Sequence, residues 1–257
     1  MHARSHRSLL ARLSTFIRTQ FSFLIDLLLL LPGRLLFFRR NRRFRGMSMG
    51  QVFRDIYDNN LWGHPESRSG FGSTLVATEN IRVELPDLVR EIGAKSLLDI
   101  PCGDFNWMNA TKLGIERYIG ADLVEELVTS NSDRYGASSR TFVKLDIVAD
   151  ALPRVDLVLC RDILIHFPDD YVFRAIENVR ASGARYLLTT TFRNVPGNGD
   201  IPLGSFRPIN LERPPFSFPK PMRIIKDEYE GRRQGRCLAL WRLAELPIQP
   251  GDELGAP

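Results

Sequence analysis

From residue 96 onward, short unbroken apolar runs alternate with amphipathic ones, and this alternation constrains the fold more than any other feature of the 257-residue chain. The runs are "SLLDI" (96 to 100), "RYIGAD" (117 to 122), "TFVKLD" (141 to 146), "VDLVLC" (155 to 160) and "RYLLTTTF" (185 to 192). Helical patterns fill the intervals at 76 to 93, 105 to 113, 123 to 134 and 168 to 182. Strands that are apolar throughout are buried on both faces, which predicts a parallel sheet covered by helices. The last two runs, "MRIIKDEY" (222 to 229) and "CLALWRL" (237 to 243), are joined by "EGRRQGR". That connection is too short for a crossover helix and suits a hairpin. The expectation is an α/β, doubly wound, mostly parallel seven-stranded sheet with an antiparallel C-terminal hairpin strand. Residues 194 to 221, rich in Pro, Gly and Asn, form a long irregular loop, and such loops in compact domains tend to be functional.

Ligands of open parallel sheets bind outside the carboxyl ends of the strands, where strand order reverses. An acid stands at or just past each of the first four strand ends: Asp99 or Asp104, Asp122, Asp146 and Asp162. Each alone could be a helix N-cap; four in register after four strands point to a site. Asp122 lies 23 residues after Asp99, near the spacing at which an acid holds a ribose diol.

The loop in "LLDIPCGDFNW" (97 to 107) has one glycine, Gly103. A pyrophosphate needs several glycines so that backbone N–H groups can approach it, and G-x-G-x-x-G is absent. Asp104 occupies the place of a phosphate, and like charges about 4 Å apart repel by about 4 kcal/mol at an effective dielectric near 20. A phosphate-free nucleoside bearing positive charge reverses that sign, and S-adenosylmethionine has this form.

The succession "LLDIPCGDFNW", "IGADL", "VKLDI" and "DLVLCRDILIHF" resembles the motifs of class I S-adenosylmethionine-dependent methyltransferases over about residues 96 to 192. Within that class, "LWGHPESRSGFGS" (61 to 73) and "FRPINLERPPFSFP" (206 to 219) resemble a bacterial branch of poorly assigned substrate. The resemblance implies a Rossmann-like fold in which Asp99, Cys102, Gly103 and Asp104 surround the methionine moiety. It further implies that Asp122 with Leu123 meets the ribose, Asp146 with Ile147 the adenine, and that Arg161 and Asp162 line the methyl-transfer end. Pro101 and Phe105 depart from the usual D-x-G-x-G-x-G.

Methyl transfer is an in-line displacement at an activated carbon, so alignment dominates, and a base adds about 10²- to 10⁴-fold for a hydroxyl acceptor. His166, six residues past the fourth strand, is the first candidate base; a packed histidine at a helix start competes with that role, and Asp162 is the alternative base. Arg68 is a candidate partner for the donor carboxylate or a solvated arginine. Arg207, Asn210 and Phe216 in the Pro-rich stretch are expected to form an acceptor wall, or else a rigid connector. Trp62 and Trp107 fit either site or core. The expected activity is O-methylation of a small-molecule or glycan acceptor. A nicotinamide-dependent oxidoreductase and a catalytically silent, membrane-tethered nucleoside-binding protein are the alternatives.

The basic charge is confined to the front. Residues 1 to 46 hold ten arginines and one acid, +9, which leaves 25 Lys+Arg against 29 Asp+Glu, −4, for the remainder. A mildly acidic body argues against nucleic acid as a partner. Residues 21 to 38 are apolar and flanked by arginines; as a helix they would reach roughly 27 Å, just short of a hydrocarbon core. Asp26 and Pro32-Gly33-Arg34 oppose a straight crossing. A helix lying in the interface or a re-entrant hairpin meeting anionic headgroups is the favoured reading, with a single crossing and a cleaved targeting segment as alternatives. The expected organisation is a membrane-associating arm (1 to 46), a catalytic domain (47 to 247) and a flexible tail (248 to 257), in a cytoplasmic protein attached peripherally to the membrane. Three dispersed cysteines carry no C-x-x-C spacing, His2 and His6 sit in the arm, and His64 and His166 are isolated, so no metal is expected.

Overall fold

The computed structural model describes residues 43 to 228 and 235 to 247. The arm up to residue 42, the 229 to 234 connection and the tail from 248, and with them the expectations placed there, lie outside the described residues. Contacts divide the chain into Met1–Arg45 and Gly46–Pro257, and the second unit is described below.

Seven strands form one sheet in the order β3-β2-β1-β4-β5-β7-β6. They are β1 (Ser96–Asp99), β2 (Arg117–Asp122), β3 (Arg140–Lys144), β4 (Leu157–Cys160), β5 (Tyr186–Phe192), β6 (Arg223–Lys226) and β7 (Arg236–Arg242). The first five are parallel, and β7 runs antiparallel between β5 and β6. The expected mixed sheet and its terminal hairpin are therefore present. Strand order reverses between β1 and β4, so the crevice that such reversals open lies above Asp99 and Cys160.

Continuous apolarity does what burial on both faces requires: Leu97, Leu98, Leu157, Leu187, Leu188 and Leu238 have no exposed surface. Each contributes about 1.5–3 kcal/mol relative to exposure. Strand β4 begins two residues later than Val155 because Asp156 turns back to β1. Its Oδ2 accepts from the backbone N–H groups of Lys95 (2.9 Å) and Ser96 (3.0 Å) and from the Ser96 hydroxyl.

Five α-helices are described: α1 (Met49–Asp58), α2 (Glu79–Glu91), α3 (Asn106–Asn109), α4 (Glu125–Tyr135) and α5 (Asp169–Ala181). Helix α3 is a single turn where a longer one was expected. Its N-cap residue, Phe105, is left-handed (φ 58°), and the chain beyond it turns through Gly114 (φ 69°). Helix α1 was not anticipated. It starts at a reciprocal cap in which the Ser48 hydroxyl accepts from the Gln51 N–H and the Gln51 side chain accepts from the Ser48 N–H. It buries Met49, Val52, Phe53 and Ile56, the i, i+3, i+4, i+7 stripe of an amphipathic helix.

Candidate active site

Above the carboxyl ends of β1, β2 and β4 lies a cleft enclosing about 990 Å³, its open mouth included. Asp99, the last residue of β1, forms part of its lining and is otherwise buried. The Tyr118 hydroxyl donates to Asp99 Oδ2 at 2.5 Å. Burial pushes the Asp99 carboxyl up to about 7, against the opposing pull of that hydrogen bond and of Arg161.

The loop after β1 is held by Asp122. One carboxylate oxygen accepts from the Gly103 N–H (3.1 Å), the other from the Val124 N–H (3.0 Å). Burial raises its pKa to about 6 while these backbone donors favour the charge. Gly103 is left-handed (φ 55°), its carbonyl accepts from the Asn131 side chain (2.8 Å), and a Cβ there would stand 2.2 Å from the Ser69 hydroxyl oxygen. Only glycine takes this conformation without cost. Phe105, the departure from the glycine pattern, keeps its own left-handed backbone through packing. Its ring lies 5.1–5.3 Å from the rings of Tyr118, Tyr135 and Phe142, beneath the Arg140 guanidinium. The Cys102 thiol is raised well above its usual pKa by burial and by Asp122 and Asp99; it stays protonated and is no nucleophile.

Residues 61 to 75 form a strap across this loop. Asp104 fastens it: Oδ1 accepts from the Ser67 hydroxyl (3.0 Å) and Oδ2 from the Arg68 N–H (2.8 Å), while the Ser69 hydroxyl accepts from the Asp104 N–H (3.2 Å). Asn106 adds bonds to the Ser73 carbonyl and the Glu66 carboxylate. Asp104 lines the cleft as expected, yet its carboxylate is committed chiefly to the strap. Arg68 also lines the cleft, with its guanidinium 4.8 Å over the Tyr57 ring and bonded to the Tyr57 carbonyl.

At the end of β4, Arg161 and Asp162 face the cleft as part of a four-charge cluster. Arg161 binds Asp227 through Nε (3.2 Å) and Nη2 (3.1 Å) and donates to the Gly72 carbonyl (2.8 Å). Arg236 bridges Asp227 (2.8 Å) and Asp162. Burial opposes the Arg161 charge, but Asp227 and Asp162 more than offset it and hold its pKa above the usual value. Two cations and two anions balance, as buried charges must. Asp162 is left-handed (φ 61°) and shares hydrogen bonds with Thr190. The alternative base is thus ion-paired with Arg236, which weakens it for proton abstraction.

The structure gathers Asp99, Cys102, Gly103, Asp104, Asp122 and Leu123 around one cleft, with Ile147, Arg161, Asp162 and Arg68 completing the set. Five expected residues do not line it. Asp146 instead turns into the next segment, its Oδ1 accepting from the Val148 N–H at 2.7 Å. His166 stands one layer back, stacked on Trp62 (centroids 5.2 Å apart) with Nδ1 at 2.7 Å from the Ser205 carbonyl. Arg207 is buried against Asp169, the Gly199 and Phe167 carbonyls and the Phe216 ring. Asn210 ties its loop through the Val195 carbonyl and the Glu212 N–H, and Phe216 is fully buried. The long loop is therefore braced by the very residues expected to form an acceptor wall; they satisfy its internal polar groups. Cleft residues the sequence did not single out are Phe53, Tyr57 and Phe167, and Trp62 and Trp107 also prove to line it.

Among the described residues no cluster of three or more His, Cys, Asp or Glu side chains could hold a metal, and no helix is long and apolar enough to cross a membrane. No family model matches the sequence, and neither does any curated protein.

The fold is that of the class I S-adenosylmethionine-dependent methyltransferases. The chain is similar to a Burkholderia thailandensis 1,6-didemethyltoxoflavin-N1-methyltransferase with bound 1,6-didemethyltoxoflavin and S-adenosylhomocysteine, at 16% identity and TM-score 0.55 over 75% of this chain and 86% of that one. It is similar to human N-acetylserotonin methyltransferase in complex with S-adenosylmethionine (13%, 0.52, 77% and 60%). The Synechocystis PCC 6803 magnesium protoporphyrin IX methyltransferase with bound S-adenosylhomocysteine is a third (14%, 0.51, 74% and 98%).

Proposed function

We propose that the protein is an S-adenosylmethionine-dependent methyltransferase that methylates oxygen on a small-molecule or glycan acceptor beside a membrane surface. The observation that carries this reading is the Asp122–Gly103 clasp at the sheet's reversal point. It engages the Asp122 carboxylate with the Gly103, Val124 and Leu123 N–H groups and still leaves it an acceptor lone pair, suited to a vicinal diol. The residues present fit the donor. Asp99 and the Cys102–Gly103 backbone border the space for its charged end, Arg68 offers a partner for its carboxylate, and Leu145 and Ile147 give an apolar face for the base. The bound donor supplies an electrophilic methyl carbon.

The protein's own part is to orient and to exclude water. Asp162, fixed by Arg236 and Thr190, accepts a hydrogen bond from the acceptor's O–H and aims its oxygen. His166 acts through Trp62 as a positioning residue. The solved proteins of like fold are named for small-molecule acceptors, which supports a small-molecule acceptor here. The ten arginines of the first 46 residues support attachment to anionic lipid on the cytoplasmic face.

Incubating the protein with methyl-labelled donor and fractionated cell extract tests the activity, and a labelled small molecule or glycan is the expected product. Label confined to protein or nucleic acid, or no label at all, overturns the reading.

A further inference from the structure

On the β4 side of the cleft the lining changes character. Phe53 and Tyr57 of α1, Trp62 of the strap, and Ile163 and Phe167 after β4 face the same space. They form one connected wall: Phe53 lies 6.3 Å from Trp62 and 6.2 Å from Phe167, ring centre to ring centre. Trp62 is held nearly parallel to the His166 ring behind it, at 25°. His166 is in turn 6.1 Å from Phe206, a side chain that is 42% exposed. Rings backed by rings keep their faces at a fixed angle, and a fixed aromatic face is a stacking surface.

The charges on this side are balanced before any acceptor arrives. Arg161 is bonded to Asp227 and to the Gly72 carbonyl, and Asp162 to Arg236. The lining's other carboxylates are committed too, Asp104 to Ser67 and the Arg68 N–H and Asp122 to the Gly103 and Val124 N–H groups, and the Arg68 guanidinium is bonded to the Tyr57 carbonyl. An anionic acceptor would lie beside Asp162 with both of the lining's guanidinium groups already engaged, so it gains no cation to offset its desolvation.

We infer that the acceptor is an uncharged, hydroxyl-bearing ring that stacks on the Trp62 wall while its hydroxyl donates to Asp162. The inference rests on the methyltransferase reading and narrows it. An aryl ring and the apolar face of a pyranose present the same chemistry to such a wall, and matched probes separate them.

The full chain is first saturated with S-adenosylhomocysteine and its binding confirmed by calorimetry, so that failure of cofactor binding, which sinks the methyltransferase reading, is seen separately. It is then titrated with methyl 4-hydroxybenzoate against 4-hydroxybenzoate, and with methyl α-glucopyranoside against glucuronate. One neutral probe is expected to bind at least tenfold tighter than its carboxylate counterpart, and which pair responds identifies the ring. Trp62→Ala is expected to weaken that probe at least tenfold, and Trp62→Phe, which keeps a ring, to retain most of the affinity. Each variant is first shown to bind S-adenosylhomocysteine, which guards against misfolding. Equal or tighter binding of the carboxylates, no binding of either neutral probe, or indifference to Trp62→Ala overturns the inference.

Discussion

Replacing Gly103 by alanine perturbs the cofactor loop at the point where strap and loop are closest. The residue sits at φ 55°, where a side chain costs about 1–2 kcal/mol. The new Cβ would meet the Ser69 hydroxyl oxygen at 2.2 Å and its Cβ at 3.2 Å. The hydroxyl can rotate away, but it then gives up the Asp104 N–H and its contact with Asp104 Oδ1, at about 0.5–1.5 kcal/mol for each bond. The sum is roughly 2–5 kcal/mol. Part appears in folding, where each kcal/mol moves Tm by about 2–4 °C in a chain of this size. Part appears in binding, where about 1.4 kcal/mol is tenfold. Gly103→Ala is therefore expected to lower Tm by several degrees and to weaken S-adenosylhomocysteine at least tenfold by calorimetry. Ser69→Gly alone gives up the same two hydrogen bonds but also removes both clashing atoms, so adding Gly103→Ala to it should cost only the further 1–2 kcal/mol, roughly, of the backbone. If Gly103→Ala binds and melts like the parent, the strap does not press on the loop and the argument fails.

Other perturbations reach different parts of the site. Asp122→Ala removes both backbone acceptors of the clasp and should weaken S-adenosylhomocysteine at least tenfold; unchanged affinity would remove Asp122 from the ribose position. Asp99 keeps its proton up to about pH 7 in the folded chain but loses it near 3.8 when unfolded, so the folded state binds more protons and stability falls as pH rises through that window. At about 1.4 kcal/mol per pH unit the ionised carboxyl costs roughly 4 kcal/mol above pH 7. Asp99→Asn should flatten that fall, measured by denaturant unfolding from pH 5 to 8, whereas an identical slope would contradict the assignment. Arg236→Met leaves Asp162 and Asp227 sharing Arg161 alone and is expected to cost about 3–5 kcal/mol, read as a lower denaturation midpoint. Flotation with liposomes should depend on anionic lipid and disappear when residues 1 to 45 are deleted; binding to neutral vesicles would count against the arginines.

The parts of this molecule that were legible in its sequence are those governed by local pattern. Apolar runs marked the strands, most plainly the inner ones, where burial on both faces leaves its mark residue by residue; the outer β3 and β6 are partly exposed and carry polar residues. Acids at strand ends gave Asp99 and Asp122, because the crevice of a parallel sheet is fixed by topology. Helix α1 is equally marked in the Ser48–Gln51 cap and the apolar spacing after it, although it precedes the alternation. What could not be read required partners distant in sequence. Asp104 looked like a ligand contact, yet its partners are Ser67, Arg68 and Ser69, more than thirty residues earlier. Arg207, Asn210 and Phe216 looked like an acceptor wall because polar and aromatic residues in a long loop often are one; folding turns them inward to satisfy that loop's backbone. His166 was placed correctly after β4, but only the stacking of Trp62 shows that it stands behind the cleft. The left-handed backbones of Phe105 and Asp162 carry no sequence mark, since their neighbours impose them.

The cleft at the reversal point should take a phosphate-free, cationic nucleoside. Calorimetric titration of the full chain with S-adenosylmethionine, S-adenosylhomocysteine and an oxidised nicotinamide dinucleotide tests it directly. Saturable binding of the first two at one site, and none of the dinucleotide, is expected. Binding of the dinucleotide with no response to either sulfur nucleoside would contradict it.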